Sequence, residues 1–325
     1  MRIVRFFIYC LGLAAFAVTV LGYFGSVHPA FDSLGHFRIH TAAATAAFGV
    51  LIMFIGGLLG GAALLVTGLL VLWTTLMPVS GEANAADTNG SVYRLLQSNL
   101  RFDNSTPDEL LRLIAKTKPD VVTLQEVSRI WPEKLALMKQ LYPYQLICPG
   151  TDRVGPVAII SRRPFVSGDA GQCLQGNDLA VQRIEFGGRQ VAIAAVHLRW
   201  PWPHQQPRQV AGMLPDFAKL KPFDGGVLIA GDLNAATWSH TTQLIADASA
   251  TSAVHYAGGS WAPLELPPAW TPYIGLPIDN VFSNSRIKVL SVQRQSSIGS
   301  DHLPVLIEFT LPEQSTTTEP EQATS

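Results

Sequence analysis

Eight side chains in this 325-residue sequence stand at the ends of apolar runs and carry groups able to hold a cation, a phosphate oxygen or a proton: Asn99, Glu126, His197, Asp232, Asn234, Asp279, Asp301 and His302. The densest cluster is Val227-Leu-Ile-Ala-Gly-Asp-Leu-Asn-Ala235, where four apolar residues run into Gly231 and two polar side chains follow one residue apart. Side chains two apart on an extended backbone point the same way. Asp232 and Asn234 can therefore address one ligand together, a charged acceptor beside an amide with donor and acceptor ends. Gly-Asp-x-Asn is equally an ordinary turn sequence. Taken singly, Glu126 reads as a surface carboxylate and His197 as a hydrogen-bonded structural imidazole.

The elements that must position these groups are short. From Ser91 onward, brief apolar runs alternate with helical segments, the pattern of a layered α/β domain. A strand over Tyr93–Asn99 delivers Asn99, and one over Val121–Leu124 runs into Gln125 and Glu126. Between them, Thr106-Pro-Asp-Glu109 reads as a helix start with Thr106 as N-cap and Pro107 at the first helical position. Further strands are expected at Tyr144–Ile147 and Val157–Ile160, and at Val191–Val196, which ends at His197. A helix is expected near Ser239–Ala248. Asp279 opens a strand in Pro277-Ile-Asp-Asn-Val-Phe282, and Gly299-Ser-Asp-His-Leu-Pro304 precedes the last strand, Val305–Phe309. The segment Arg199-Trp-Pro-Trp-Pro-His-Gln-Gln-Pro-Arg208 reads as a stiff aromatic wall beside the site.

Taken in order, the strings QSN, PDVVTLQEV, AIISRRP, AAVHL, GDLNA, PIDNVF and SDHLPV resemble the endonuclease/exonuclease/phosphatase superfamily, from Gln97 to Val305. The resemblance implies a four-layer α/β sandwich, two mixed sheets face to face with helices outside, as in pancreatic-type deoxyribonuclease. It also implies phosphoester hydrolysis with a divalent cation. Oxygen and amide ligands without a Cys or paired-His pattern suit Mg²⁺ or Mn²⁺ rather than zinc. By resemblance, Glu126 is the main metal carboxylate, Asn99 a supporting ligand or phosphate contact, and Asp301 a support to the metal shell. Asp232 would activate the attacking water, Asn234 would hold it or a phosphate oxygen, and His197 would be a phosphate contact or acid. Asp279 would fix the tautomer of His302 and favour its charged form. In the apurinic-site endonuclease branch an acid stands two residues after the first Asn. Here that position is Arg101, with Asp103 two further on, which argues against that branch.

The first eighty residues differ in kind. Apart from Arg2, Arg5 and Arg38, all basic residues lie from Arg94 onward, leaving the remainder with 20 of 23 basic and 21 of 24 acidic residues. A nearly neutral domain exerts no global pull on nucleic acid. Residues 1–78 read as a transmembrane region of about three helices (3–23, 41–57 and 60–77), with a loop over 24–40 and a reversal in Gly56–Gly61. Residues 79–90 read as a linker, 91–311 as the catalytic domain and 312–325 as a disordered tail. Arg2 and Arg5 favour a cytoplasmic amino terminus, and three spans then place the domain on the extracytoplasmic side of a bacterial inner or plasma membrane. Ala83-Asn-Ala85 has the form of a signal-peptidase site but reads as plain linker. Cys148 and Cys173 are either bridged or two separate buried thiols.

The expected substrate is a phosphoester: nucleic acid, a phospholipid head group or a small molecule. No obligate protein partner is implied. A dinuclear phosphatase of calcineurin type would need an early Asp-x-His and a GNH[ED] motif, and the sequence has neither. The alternative from another class is a catalytically inactive, membrane-tethered binding module on the same fold.

Overall fold

The structure, a computed structural model, describes residues 2–77, 90–128, 130–149, 156–254 and 258–312. The tail expected from 312 lies outside these residues beyond Pro312. So does the linker expected at 79–90, apart from Gly90, together with its Ala83-Asn-Ala85 motif.

Two six-stranded mixed sheets form the body. The first runs β11 (Lys288–Arg294), β12 (Val305–Thr310), β1 (Tyr93–Asn99), β2 (Val121–Gln125), β4 (Val157–Ser161), β3 (Tyr144–Ile147). The second runs β5 (Gln172–Leu174), β6 (Leu179–Phe186), β7 (Arg189–His197), β8 (Gly226–Asp232), β10 (Asp279–Ser283), β9 (Ser252–Ala253). In each sheet one central pair is parallel, β1 with β2 and β7 with β8, and the other pairs are antiparallel. The period of two then sorts the side chains. Leu95, Val121, Ile159, Ile193, Ala195, Leu228, Ala230 and Val281 fill the space between the sheets. Their neighbours Leu96, Val122 and Leu124 face outward under α5 (Asp108–Thr117) and α6 (Trp131–Ala136). Ala192, Ala194, Val227 and Ile229 do the same under α7 (Gln206–Ala218) and α8 (His240–Ser249). Each fully buried Leu or Phe in these layers contributes about 2 kcal/mol of transfer free energy.

The same alternation carries the chemistry to one place. Counting on from the inner-face residues, Asn99, His197 and Asp232 end β1, β7 and β8 on the inner side, and Asp279 begins β10 there. Gly231 is required by packing: a β-carbon at this position would collide with the carbonyl oxygen of Val196 on the neighbouring strand.

At the amino-terminal end, α1 (Arg2–Leu21) and α4 (Leu58–Leu76) are each long and apolar enough to cross a membrane. A bent pair, α2 (Pro29–Gly35) and α3 (Arg38–Phe54), makes a third candidate, broken by 68°. The loop expected over 24–40 is corrected by this pair. His28 caps α2 by accepting from the Ala30 amide, and Pro29 supplies the preset φ of a first helical residue. The reversal falls at Ile55–Gly57, where Gly56 has φ +98°. Close approach of α3 and α4 depends on small residues; a β-carbon on Gly68 would lie 2.6 Å from both the Ala42 carbonyl and the Ala46 amide.

Further differences from the sequence reading have local causes. Thr106 does not cap α5, because its hydroxyl turns to the Asn104 side chain and the Ile298 carbonyl, and the cap position falls to Pro107. Strands β5, β6, β9 and β11 and helices α6 and α7 were not foreseen. The first of the long ones, β6, mixes Gln182, Arg183 and Glu185 into its run, and α7 contains Pro207 and Pro215.

Of the two possibilities for Cys148 and Cys173, the structure has the bridge, with Cα atoms 5.5 Å apart. It links the end of β3 to β5, the edge strands of opposite sheets. Closing a loop with a sequence separation of 25 restricts the unfolded chain, worth about 3 kcal/mol in the chain-entropy account. Reduction should accordingly lower the midpoint of urea unfolding, followed by circular dichroism with and without a phosphine reductant.

Candidate active site

Four strand ends and two loops meet at one edge of the sandwich. In register, His197 stands opposite Asp232, and Asp232 opposite Asp279, so three adjacent strands of the second sheet present His, Asp and Asp side by side. The first sheet answers with amides. Asn99 Nδ2 donates to Asp232 Oδ2 at 2.9 Å and to Glu126 Oε1 at 3.1 Å. Gln97 Nε2 donates to Asp279 Oδ1 at 2.8 Å. The bonds to Asp232 and Asp279 are buried and tie the two sheets together where both lose their apolar filling.

Asp232 is the hub. Its Oδ2 lies 3.5 Å from His197 Nε2 and 3.5 Å from His302 Nε2, and its Oδ1 accepts the Asn234 amide at 2.9 Å. The other nitrogen of His302, Nδ1, lies 2.9 Å from Asp279 Oδ2. Asn234 donates from its side-chain nitrogen to the Leu198 carbonyl at 2.8 Å. Glu126 is braced by the Phe102 amide at 2.9 Å.

The backbone is strained at this edge. Arg101, Glu126 and Asn234, each one or two residues beyond a strand end, have φ of +55°, +60° and +46°. A non-glycine residue there costs about 1–2 kcal/mol, and for Glu126 the turn carries the carboxylate to Asn99. Arg101 itself pairs with Asp103 at 2.7 Å, so the charges of these two neighbours offset each other.

The sequence-derived set is thus brought together in one hydrogen-bonded array for Asn99, Glu126, His197, Asp232, Asn234, Asp279 and His302. Asp301 stands to one side, accepting Trp261 Nε1 at 3.0 Å and reaching His302 through its charge. Three contributors were not singled out from sequence. Gln97 orients Asp279, Trp261 holds Asp301, and Asp178 backs His197, accepting the His197 amide on its carbonyl at 2.8 Å. Gln97 lies within the QSN string, but an amide inside a strand gives no sign of the carboxylate it will meet from another sheet.

Electrostatically the site is a set of buried opposites. Burial opposes the charge on His302, but the Asp279 and Asp232 carboxylates outweigh it and push the imidazole up to about 10. His197 is raised likewise against burial, through the bond and charge of Asp232 and the charges of Glu126 and Asp178. Burial works against the Asp232 anion too, yet His302, His197 and the Asn234 amide hold it below the ordinary carboxylate range. Asp178 is raised, burial outweighing Arg199 and His197.

Asp232, Asp279 and His302 have candidate ligand atoms within 4.8 Å of one another. A cation among them would compete with the proton these carboxylates hold on His302, since a ligating imidazole must be neutral. The better fit for a hard divalent cation is the Glu126 carboxylate, an oxygen donor apart from the imidazoles; Asn99 turns its side-chain nitrogen to it and its oxygen to the Arg101 amide at 2.9 Å.

A model of the Endonuclease/Exonuclease/phosphatase family matches residues 96–302. No curated protein matches by sequence. Among solved structures, TDP2 of D. rerio complexed with a single-strand DNA product is 19% identical over 68% of this chain and 99% of that one, with a TM-score of 0.55. An endonuclease/exonuclease/phosphatase from Beutenbergia cavernae DSM 12333 is 20% identical over 68% and 72%, TM-score 0.52. Beta toxin from Staphylococcus aureus, in a mutant structure with bound magnesium ions, is 19% identical over 67% and 99%, TM-score 0.51. The shared fold covers the sandwich.

Proposed function

The chain belongs to the endonuclease/exonuclease/phosphatase family and is a phosphoester hydrolase, and we propose that it is a membrane-anchored one that works with Mg²⁺ or Mn²⁺. The observation that carries this reading is Asp232, an anion held 3.5 Å from each of two imidazoles and 2.9 Å from Asn99 on the inner face of the paired sheets. Such an array places a proton acceptor between positive groups, where a phosphate and its attacking water would meet.

Each residue then has a task. Asp232 orients the water and takes its proton, with Asn234 beside it. His302, kept charged by Asp279, and His197 donate to the phosphate oxygens and spread the charge of the five-coordinate phosphorus. Asn99 and Glu126 would hold the cation, with Asp301 supporting from Trp261. When bound, the cation polarises a phosphate oxygen and neutralises developing charge. The magnesium ions in the beta toxin structure support this choice of metal.

We propose the domain limits as read from sequence: a membrane region at 1–78, a linker at 79–90, the catalytic domain at 91–311 and a tail after it. Three spans with Arg2 and Arg5 inside put the domain outside the cytoplasm of a bacterial cell. The Cys148–Cys173 bridge supports that side, since disulfides persist in oxidising compartments. The substrate is a phosphoester of nucleic acid, of a phospholipid head group or of a small molecule.

The test uses the full chain in detergent with bis-p-nitrophenyl phosphate and p-nitrophenyl phosphate, in Mg²⁺, Mn²⁺ or EDTA. Turnover with metal that disappears in EDTA is expected, and the faster substrate tells diester from monoester. Equal turnover in EDTA would remove the metal from the mechanism. Silence under every metal and on both substrates would favour a tethered binding module.

A further inference from the structure

Three loops beside the catalytic residues meet the segment between α1 and α3 or the first turn of α3. After His197, the tryptophan loop reaches α2, where Ser33 Oγ donates to the Trp202 carbonyl at 3.1 Å and the His28 and Trp202 rings lie 5.9 Å apart. After Asn234, Trp238 Nε1 donates to the Gly35 carbonyl at 2.8 Å. The buried carboxylate of Asp32 then accepts the His240 and Thr241 amides at 2.6 and 3.0 Å, capping the start of α8 from the membrane module. Orphan helix amides favour an anion there. The third loop, 261–276, is closed by Trp261 and Leu276, whose amides and carbonyls pair at 2.9–3.0 Å. Trp261 pairs on its other side with His302, and the far end of the loop, Ile274, meets His40 Nε2 at 2.9 Å.

His40 fixes the height of that loop. It lies in the first turn of α3, on the side where α1 ends and α4 ends. Exposed Tyr23 and Trp73 sit at those two helix ends, the level at which aromatic residues mark a membrane–water boundary. Loop 261–276 brings its own exposed apolar groups to this level: Leu264, Trp270, Tyr273 (83% exposed) and Ile274. Glu265 is its sole charged residue. A nucleic-acid groove would need cations here, whereas a bilayer interface accepts Trp and Tyr.

We propose that loop 261–276 is seated in the bilayer interface, so that the catalytic edge opens on the membrane surface and takes a phosphoester held there by an apolar tail. The inference rests on the hydrolase reading for its substrate but not for its geometry. The aromatic loop touches lipid on one side and pairs with His302 through Trp261 on the other. The anchor is then a strut with a fixed face rather than a flexible tether.

The experiment uses the full chain in lipid nanodiscs, with Cys10→Ser removing the free thiol. Nitroxide labels are placed through Tyr273→Cys, Trp270→Cys and, at the opposite end of β8, Asp224→Cys. Collisions with oxygen and with a water-soluble nickel chelate report depth. Labels at 273 and 270 should favour oxygen, and the label at 224 should favour nickel. Nickel-dominated spectra at both rim sites would overturn the proposal. In parallel, Trp270→Ala combined with Tyr273→Ala should slow hydrolysis of a nitrophenyl phosphodiester with an alkyl chain in the same bilayer by about tenfold, a loss of roughly 1.4 kcal/mol. Turnover of soluble bis-p-nitrophenyl phosphate should stay unchanged. Equal loss on both substrates would overturn the membrane-facing role. Deep labels with no turnover on either substrate would keep the surface and sink the hydrolase reading instead.

Discussion

Asp232→Asn should lower turnover of a soluble phosphodiester by at least about a thousandfold, roughly 4 kcal/mol of transition-state stabilisation, since both a proton acceptor and an aligning charge are lost. The substitution keeps the size of the side chain. It exchanges one acceptor oxygen for an amide that must now face Asn99 or the imidazoles, all of which donate. The water would lose its acceptor, and the two imidazoles would lose the charge that favours their protonated forms. The fold should survive, because the strands around Asp232 are held by the ladder of β7, β8 and β10 and by buried Leu228, Ala230 and Val281. Circular dichroism at neutral pH is the control. An unfolded variant would mean that Asp232 serves stability first. A folded variant with turnover within tenfold of the parent would move the water-activating role elsewhere, Glu126 being the next acceptor.

The residues that sequence could name are those whose position follows from a period of two. Once β1, β7 and β8 are read as buried strands, Asn99, His197 and Asp232 fall at their inner-face ends. Glu126 needed more, because it leaves its strand through a left-handed turn that a propensity for strand does not predict. Gln97, Asp178 and Trp261 were invisible for another reason. Their partners are remote in sequence, Trp261 lying 40 residues from Asp301, and nothing local distinguishes them from core residues. Helix α2 was hidden by the same physics. Its Pro, Gly and Asp are loop residues by composition, and its acid finds its hydrogen-bond donors in the amides of α8, the first of them 208 residues away. Tertiary contacts thus decided the elements in which local preference was weak, and these also connect the membrane region to the site.

Stability should fall as pH rises from neutrality toward 10, and His302 should account for much of the slope. In an unfolded chain its imidazole titrates near 6.5, whereas in the fold the carboxylates of Asp279 and Asp232 carry it to about 10 despite burial. A group raised in the folded state contributes fully below its unfolded value, and the contribution drains as pH climbs through the folded one. The whole shift corresponds to on the order of 5 kcal/mol at most, in the presence of EDTA so that no cation competes for the same carboxylates. Asp232 works in the opposite sense: held below the usual carboxylate range, it adds stability above about 3.8 that is lost as pH falls further. The two together predict a plateau between about pH 4 and 6.5 with decline on both sides. Urea unfolding at pH 6, 7.5 and 9 in detergent checks this, with His302→Gln as the comparison. The variant should be less stable at pH 6 and much flatter toward pH 9, because it has no proton to lose. Equal slopes in the two proteins would show that the Asp279–His302–Asp232 chain is not charged, and the phosphate would then have to be met by a neutral imidazole.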